Sequence, residues 1–497
     1  MAQGRVNDFY KQYEELVIKF ENQEKLLKET NELVKSLNKT IENLNKTIEQ
    51  LKKINEEQAQ EILRLKSKNN KDSSNSSKPS GTNGYKKVIT NRREKSNNNK
   101  GGQKGHKPHS LNNKLEQFIN SGNVLEEIIE INKNENNKNK RYIEKVVIDI
   151  KITKHIKRYR YYPYEDGKYY IPQCHNQYVQ YGNNVKVISI DLMNNLYNST
   201  DGIVRFISDI TNKGITLSKG TLINWNNELS TKLLPEITNI EEKLLDSYFI
   251  NHDESQIKIN GNGYNVICAC NKKHVRLWSS KNKSQEAIDN IGFLPKYHGI
   301  IVKDGTELYN KYGCFLSQCI SHIQRYLKGI YDFVNHKSPK ELSNFFTKYN
   351  NKRNEYIENN IESFTEEEYA KIISEYDTIL NEWEKEIQED KSNYLFYDEL
   401  KLYTRLKYDN KKMDNRIRGD RDEVLYFIKD FKVPSTNNNA ESSLRGVKIK
   451  QKIGKFRNVE GTDSYLNIKS CILTYKKQNI DVFDAIKSAF DNKVIIA

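Results

Sequence analysis

Residues 437 to 457 read NNNAESSLRGVKIKQKIGKFR. The stretch places Glu441 at a helix start behind three asparagines and follows it with Arg445, Lys448, Lys450, Lys452, Lys455 and Arg457, with no further acid. A carboxylate amid so many cations suits an enzyme that holds metal ions against a polyphosphate. DNA strand chemistry then becomes the leading expectation, provided that other carboxylates lie upstream.

Two do. Residues 247 to 278 read as strands, in SYFINHDES, GYNVICAC and HVRLWSS, and HGIIVKDG adds another over 298 to 305. Asp253 follows the apolar run YFI, and Asp304 follows GIIV. An acid at the end of a buried strand is costly to desolvate unless it opens onto a cleft or meets a cation, so two such sites in one domain point to convergence. With Glu441 they make three hard oxygen donors, enough to hold a pair of Mg2+ ions, one activating a water or a DNA 3′-hydroxyl and the other stabilising the leaving oxygen. Against this stands the number of acids, 66 in the chain, many of which end strands or cap helices. The order strand Asp, strand Asp, helical Glu is what gives the three weight together.

Composition sets the outer bounds. The 497 residues are enough for several domains, and the formal charge of +15 favours a polyanionic partner, nucleic acid or an anionic membrane surface. No apolar run has the length to span a bilayer, and the N-terminus lacks a signal-peptide core, so a soluble intracellular protein is expected. Six cysteines, Cys174, Cys268, Cys270, Cys314, Cys319 and Cys471, are too sparse for a disulfide framework and are expected reduced. The abundance of Asn, Lys, Ile and Tyr matches the codon bias of an AT-rich genome, which discounts the raw lysine count.

Along the chain, alternate steps of four and three residues from Leu16 meet Phe20, Leu27, Val34, Leu37, Ile41, Leu44, Ile48, Leu51, Ile62 and Leu65, with Asn55 and Gln58 as polar members that would set register. A stripe of this period over about seven heptads buries itself against another helix, so residues 1–68 are expected to be a self-associating coiled coil. The alternative is one long amphipathic helix folded onto its own protein. Residues 69–111 are rich in Ser, Asn, Gly and Lys and form an expected flexible basic linker, in which Lys104 and Lys107 of GGQKGHKPH are candidates to lie along DNA or simply to be solvated.

From 112 to 182 the alternation of Val146, Ile148, Ile150 and Ile152 predicts a small β-rich module, whose KRYRYY segment offers Arg158 and Arg160 as DNA-contact candidates among tyrosines that also suit strands. Residues 183–246 are expected to be helical. Within them 199–229 reads as two helices around a Gly-containing turn, with Ile203, Phe206, Ile207 and Ile210 inward on the first and Leu222, Trp225 and Leu229 on the second. Ser218 would cap the second helix, and Lys219, Thr221 and Asn224 would face a groove if this is a helix-turn-helix and not plain helical packing. The α/β domain then runs over 247–335, is interrupted by a charged helical insertion over 336–432, and ends with 433–497.

FINHDESQIKING, GIIVKDGTELYNKYG, CISHIQRYLKGI and NNNAESSLRGVKIKQKIGKFR resemble the catalytic segments of Insertion Sequence 66 family transposases, and the likeness runs through most of the chain, the basic hinge included. The Asn-Asn-x-Ala-Glu motif with its following Leu-Arg is the most specific part. The resemblance implies an RNase H-like fold and a DDE mechanism, with Asp253, Asp304 and Glu441 as ligands of two Mg2+ ions (Mn2+ as a substitute) and His322 near the site to orient a phosphate or water. A core or surface histidine is the other reading of His322. Glu254 is the rival ligand should the strand register shift, and Arg445, one turn beyond Glu441, faces either the phosphate or a helix salt bridge. Family members often carry a zinc-binding module after the hinge; here only Cys174 is present and no CxxC pair occurs, so a zinc-ribbon-like module without its metal is expected. The implied protein is a DNA transposase of the bacterial cytoplasm and nucleoid. It would act on double-stranded element ends and target, as a homo-oligomer and away from membranes. The alternative is a noncatalytic DNA-binding relative.

Overall fold

In the computed structural model of the chain, the described residues are 2–70, 115–120, 124–131, 133, 135, 141, 143–172, 175, 177–313, 315–389, 396–408 and 419–493. Most of the 69–111 linker, with Lys104 and Lys107, lies outside them, as do Cys174 and Cys314. Two units are present, residues 87–226 and residues 1–86 together with 227–497. No helix among the described residues is long and apolar enough to cross a membrane.

The N-terminal segment is one helix, α1 (Ala2–Asn70), and α2 (Leu115–Asn120) follows. Along α1 the stripe from Leu16 to Leu65 is exposed. The 87–226 unit then holds α3 (Asn183–Asn194), α4 (Thr200–Ile210) and the start of α5 (Lys219–Lys232). Ser199 caps α4 by accepting from the Gly202 N–H at 3.1 Å, and Ser218 Oγ accepts from the Thr221 N–H at 3.0 Å at the head of α5. Leu222 and Trp225 are buried, with Tyr181 edge-on to Trp225. Ile203 and Ile207 face inward as their spacing predicts, but Phe206 is exposed. On a 3.6-residue period it stands roughly a fifth of a turn off the line midway between them, at the edge of the apolar stripe.

The strands expected within 112–182 are not seen among its described residues, where Val146, Ile150 and Ile152 are exposed and lie outside any strand. Period-two alternation prepares a segment for a sheet, but a strand exists only when a second one supplies the hydrogen bonds.

The larger unit continues with α6 (Leu234–Leu245), then β1 (Phe249–Ile259), β2 (Asn262–Cys270), β3 (Val275–Ser280), α7 (Gln285–Ile291), β4 (Ile300–Lys303) and β5 (Phe315–Gln318). The sheet order is β3-β2-β1-β4-β5. Asn260 and Gly261, both at positive φ, close the β1–β2 hairpin, and β2–β3 pair antiparallel as well. β4 joins β1 in parallel, with Asn251 opposite Val302, and β5 extends the parallel side. The same register carries Asp253 and Asp304 to matching levels just past the last paired residues.

Helices α8 (Ile320–Val334), α9 (Lys337–Glu358), α10 (Glu366–Glu389), α11 (Phe396–Lys407) and α12 (Arg421–Lys429) enclose their own core around Phe345, Phe346, Tyr376 and Trp383. α13 (Asn438–Ile453) and α14 (Val459–Lys477) return to the sheet, and α15 (Val482–Phe490) ends the fold. Ala440, Leu444 and Val447 recur at i, i+4 and i+7, which gives α13 the apolar face it lays over Ile257, Val266 and Cys268.

Candidate active site

β1 alternates its side chains between two faces, so Asp253 and Glu254 point to opposite sides. Glu254 is engaged there: its carboxylate accepts from the Tyr309 hydroxyl and pairs with Lys283. Asp253 Oδ1 accepts only from the Glu254 N–H, at 2.9 Å, among the described residues. Asp304 Oδ1 accepts from the Thr306 N–H at 2.9 Å, closing the turn that ends β4.

Glu441 comes from the first turn of α13, where the positive end of the helix favours a carboxylate. The chain ahead of it is sewn to the sheet and to α8. Asn437 Nδ2 donates to the His252 carbonyl at 2.8 Å, Asn251 Nδ2 donates to the Thr436 carbonyl at 3.2 Å, and the Ile320 N–H donates to the Ser435 carbonyl at 2.9 Å. The asparagines before Glu441 therefore have structural work: Asn437, fully buried, fixes where α13 starts relative to Asp253.

Asp253 feels the acids around it. Burial first, then the charges of Glu254, Asp304 and Glu441, push the Asp253 carboxyl up to about 8. His322 Nε2 lies 3.8 Å from Glu441 Oε1, and an Arg325 guanidinium nitrogen lies 3.9 Å from the same oxygen, distances too long for good hydrogen bonds. That oxygen is out of solvent and has no donor within hydrogen-bond distance among the described residues. Burial and the Arg325 charge hold His322 below its usual pKa against the opposing pull of Glu441 and Asp304, so its imidazole is neutral near pH 7.

A buried carboxyl raised by neighbouring acids, near an acceptor lacking a donor, fits a divalent cation. Among the described residues, the ligand atoms that come within 4.8 Å of one another are those of Cys319, His322 and Glu441; Asp253 and Asp304 lie outside that group. Burial pushes the Cys319 thiol up, and its sulfur accepts the Asn437 N–H at 3.2 Å.

The cations read after Glu441 divide. Arg445, Lys452, Lys455 and Arg457 are exposed. Lys448 is half-buried and donates to the Gln256 carbonyl, and Lys450 lies 5.9 Å from the Tyr465 ring centroid, with burial lowering the pKa of both. Arg158 and Arg160 are exposed in the other unit. Cys319 and Arg325 were not among the residues singled out from sequence; CISHIQRY spaces them three residues either side of His322, which sets all three along one side of α8.

Asp253 lies within β1, paired with Cys268, and not at the strand's end as its sequence suggested, whereas Asp304 does follow the last residue of β4. An α/β domain with these acids on adjacent strands and a third on a basic helix has the makings of a DNA-processing enzyme. Residues 187–463, more than half of the chain, match the Transposase IS66 family, and the protein belongs to that family. Its role is that of a transposase, with DNA as its partner. No curated protein matches the chain.

Proposed function

We propose that the protein is a DDE transposase with an RNase H-like catalytic domain, which cuts and joins DNA at the ends of its own element. The observation that carries this reading is the parallel register that sets Asp253 level with Asp304 on neighbouring strands, together with the Asn437–His252 bond that ties the start of α13, and so Glu441, to β1. An antiparallel β1–β2–β3 set continued in parallel by β4 and β5, with one carboxylate within β1 just beyond its pairing to β4 and another just after β4, supports the fold assignment.

Asp253, Asp304 and Glu441 would hold two Mg2+ ions, with Mn2+ as a substitute. When bound, the ions would supply charge for the phosphodiester oxygens and a lowered pKa for the attacking water or 3′-hydroxyl. His322, neutral and beside Glu441, is able to accept a proton or hold the nucleophile by hydrogen bond. Arg325 would neutralise charge on the same side, and exposed Arg445, one turn beyond Glu441, would take a backbone phosphate. Lys452, Lys455 and Arg457 extend that cationic surface along the DNA, and α4–α5 would act as a helix-turn-helix through Thr221 and Asn224. Lys219 is less free for this, being paired with Asp201 at 2.7 Å. The reading places the protein in the bacterial cytoplasm, at the nucleoid.

Self-association would run through α1. In its heptads the a positions include Val34, Ile41, Ile48 and Ile62, the d positions include Leu16, Leu37, Leu44, Leu51 and Leu65, and Asn55 is the one asparagine at a. β-Branched residues at a, leucine at d and a single buried asparagine favour a parallel two-stranded coil. In that arrangement Lys19 at g faces Glu24 at e of the second copy, an attractive pair.

The test of the catalytic reading is nicking and joining of element-end DNA by the full chain in Mg2+. Asp304→Ala is expected to lower the rate by about a thousandfold or more. Equal activity in both proteins would defeat the assignment and favour a DNA-binding role without chemistry.

A further inference from the structure

Lys303 ends β4 next to Asp304 and is 1% exposed. A buried ammonium persists only where acceptors meet its protons. Its Nζ donates to the Thr306 carbonyl at 2.9 Å and the Asn310 side-chain oxygen at 2.8 Å, and it lies 3.4 Å from Glu423 Oε2. The first two partners belong to the loop that Asp304 opens, so Lys303 holds that loop from beneath while Asp304 closes its first turn.

The chain of contacts continues into the helical insertion. Glu423 of α12 accepts from Gln318 Nε2 at 3.0 Å, Gln318 Oε1 accepts from Arg405 Nη2 at 3.1 Å, and Arg405 Nε donates to Asp420 Oδ2 at 2.8 Å. Lys303, Gln318, Asp420 and Glu423 are all buried. Arg405, from α11, also lies directly against the residue after Asp304: a Cβ added at Gly305 would stand 2.9 Å from Arg405 Nη2. Two cations and two carboxylates alternate through this line, and losing one leaves a buried charge uncompensated.

We propose that Arg405 and Glu423 are positioning residues for Asp304, fixing the Gly305–Thr306 turn and with it the direction of the carboxylate. The insertion that interrupts the catalytic domain then acts as part of the scaffold of the site. The inference rests on the reading of Asp304 as a metal ligand given above.

Full-length Arg405→Ala and the near-isosteric Glu423→Gln test it by two readouts, hydrogen exchange of the 304–312 segment and Mn2+ binding followed by electron paramagnetic resonance. The expected result is exchange about tenfold faster in that segment, with α9 and α10 unchanged, and Mn2+ binding weakened about tenfold. Glu423→Gln keeps shape and removes charge, so it reports even where Arg405→Ala fails to fold. Unchanged exchange in both folded variants would overturn the proposal, as would faster exchange with unaltered Mn2+ affinity. A wild-type Mn2+ titration indifferent to Asp304→Ala would instead remove the metal-ligand reading, and the exchange data keep that failure distinct from failure of the strut.

Discussion

The side-chain amide of Asn437 donates to the carbonyl of His252 at 2.8 Å, binding the residue that precedes α13 to the residue that precedes Asp253. Glu441 owes its approach to the sheet to this bond and to the Asn437 N–H on Cys319. Asn437→Ala removes the first and leaves the His252 carbonyl without its donor. A stability loss of about 1–3 kcal/mol is expected, with a nicking rate down by about tenfold or more, because a small shift of a ligand-bearing helix misplaces the carboxylate. Thermal melts and nicking rates on the same preparation check it; a full stability loss with normal rate would show that the bond only supports the fold.

The repulsion at Asp253 makes a prediction about pH. Burial and the neighbouring carboxylates push this group up to about 8, from an ordinary value of about 4. The neutral carboxyl is thus the form the fold prefers, so its contribution is complete below the unfolded pKa and disappears as pH rises through the folded one. Metal-free protein should lose stability between about pH 4 and pH 8. Asp253→Asn should be more stable than wild type in EDTA at pH 8, by on the order of 2–4 kcal/mol, and show no such decline from this position. Melting temperatures across that range in EDTA give the answer, and a wild type no less stable than the variant at pH 8 would refute it.

Exposure separates the cations that follow Glu441. Arg445→Ala or Lys452→Ala should weaken DNA binding at every sequence and reduce the salt slope by about 1. Lys448, already donating to Gln256, should change that slope little and cost stability instead. Titrations over a series of salt concentrations would distinguish them; equal slopes for all three variants would mean that exposure does not govern contact.

Much of this architecture was legible in the residues. Strand-forming runs before Asp253 and Asp304 mark β1 and β4, although β1 runs on six residues past Asp253, and the asparagines before Glu441 mark the start of α13. β5 was not foreseen, since FLSQ is four residues long and has no period to detect. The partnership of Lys303 with Glu423 was equally hidden, because an ion pair between residues 120 apart leaves no local pattern. Phe206 and the alternating valine and isoleucines near 150 mislead for a shared reason. An apolar residue states a preference for burial, and only the partner that tertiary structure provides decides whether burial occurs.

For α1, replacing Asn55 by Leu should raise the melting temperature of the full chain's self-association and relax its oligomeric state, since a polar a-position residue sacrifices stability for specificity. Light scattering would show wild type as a dimer, and Leu51→Cys should cross-link to its own counterpart under oxidation, beyond any cross-linking of wild type. A monomer would end the coiled-coil reading, and a dimer without that cross-link would end its parallel orientation.

The most direct measurement for the whole account is the anomalous difference density of crystals soaked in Mn2+. Manganese is expected bound by oxygens of Asp253, Asp304 and Glu441 together. Manganese held elsewhere, or Glu441 turned away from an ion shared by the two aspartates, would contradict it.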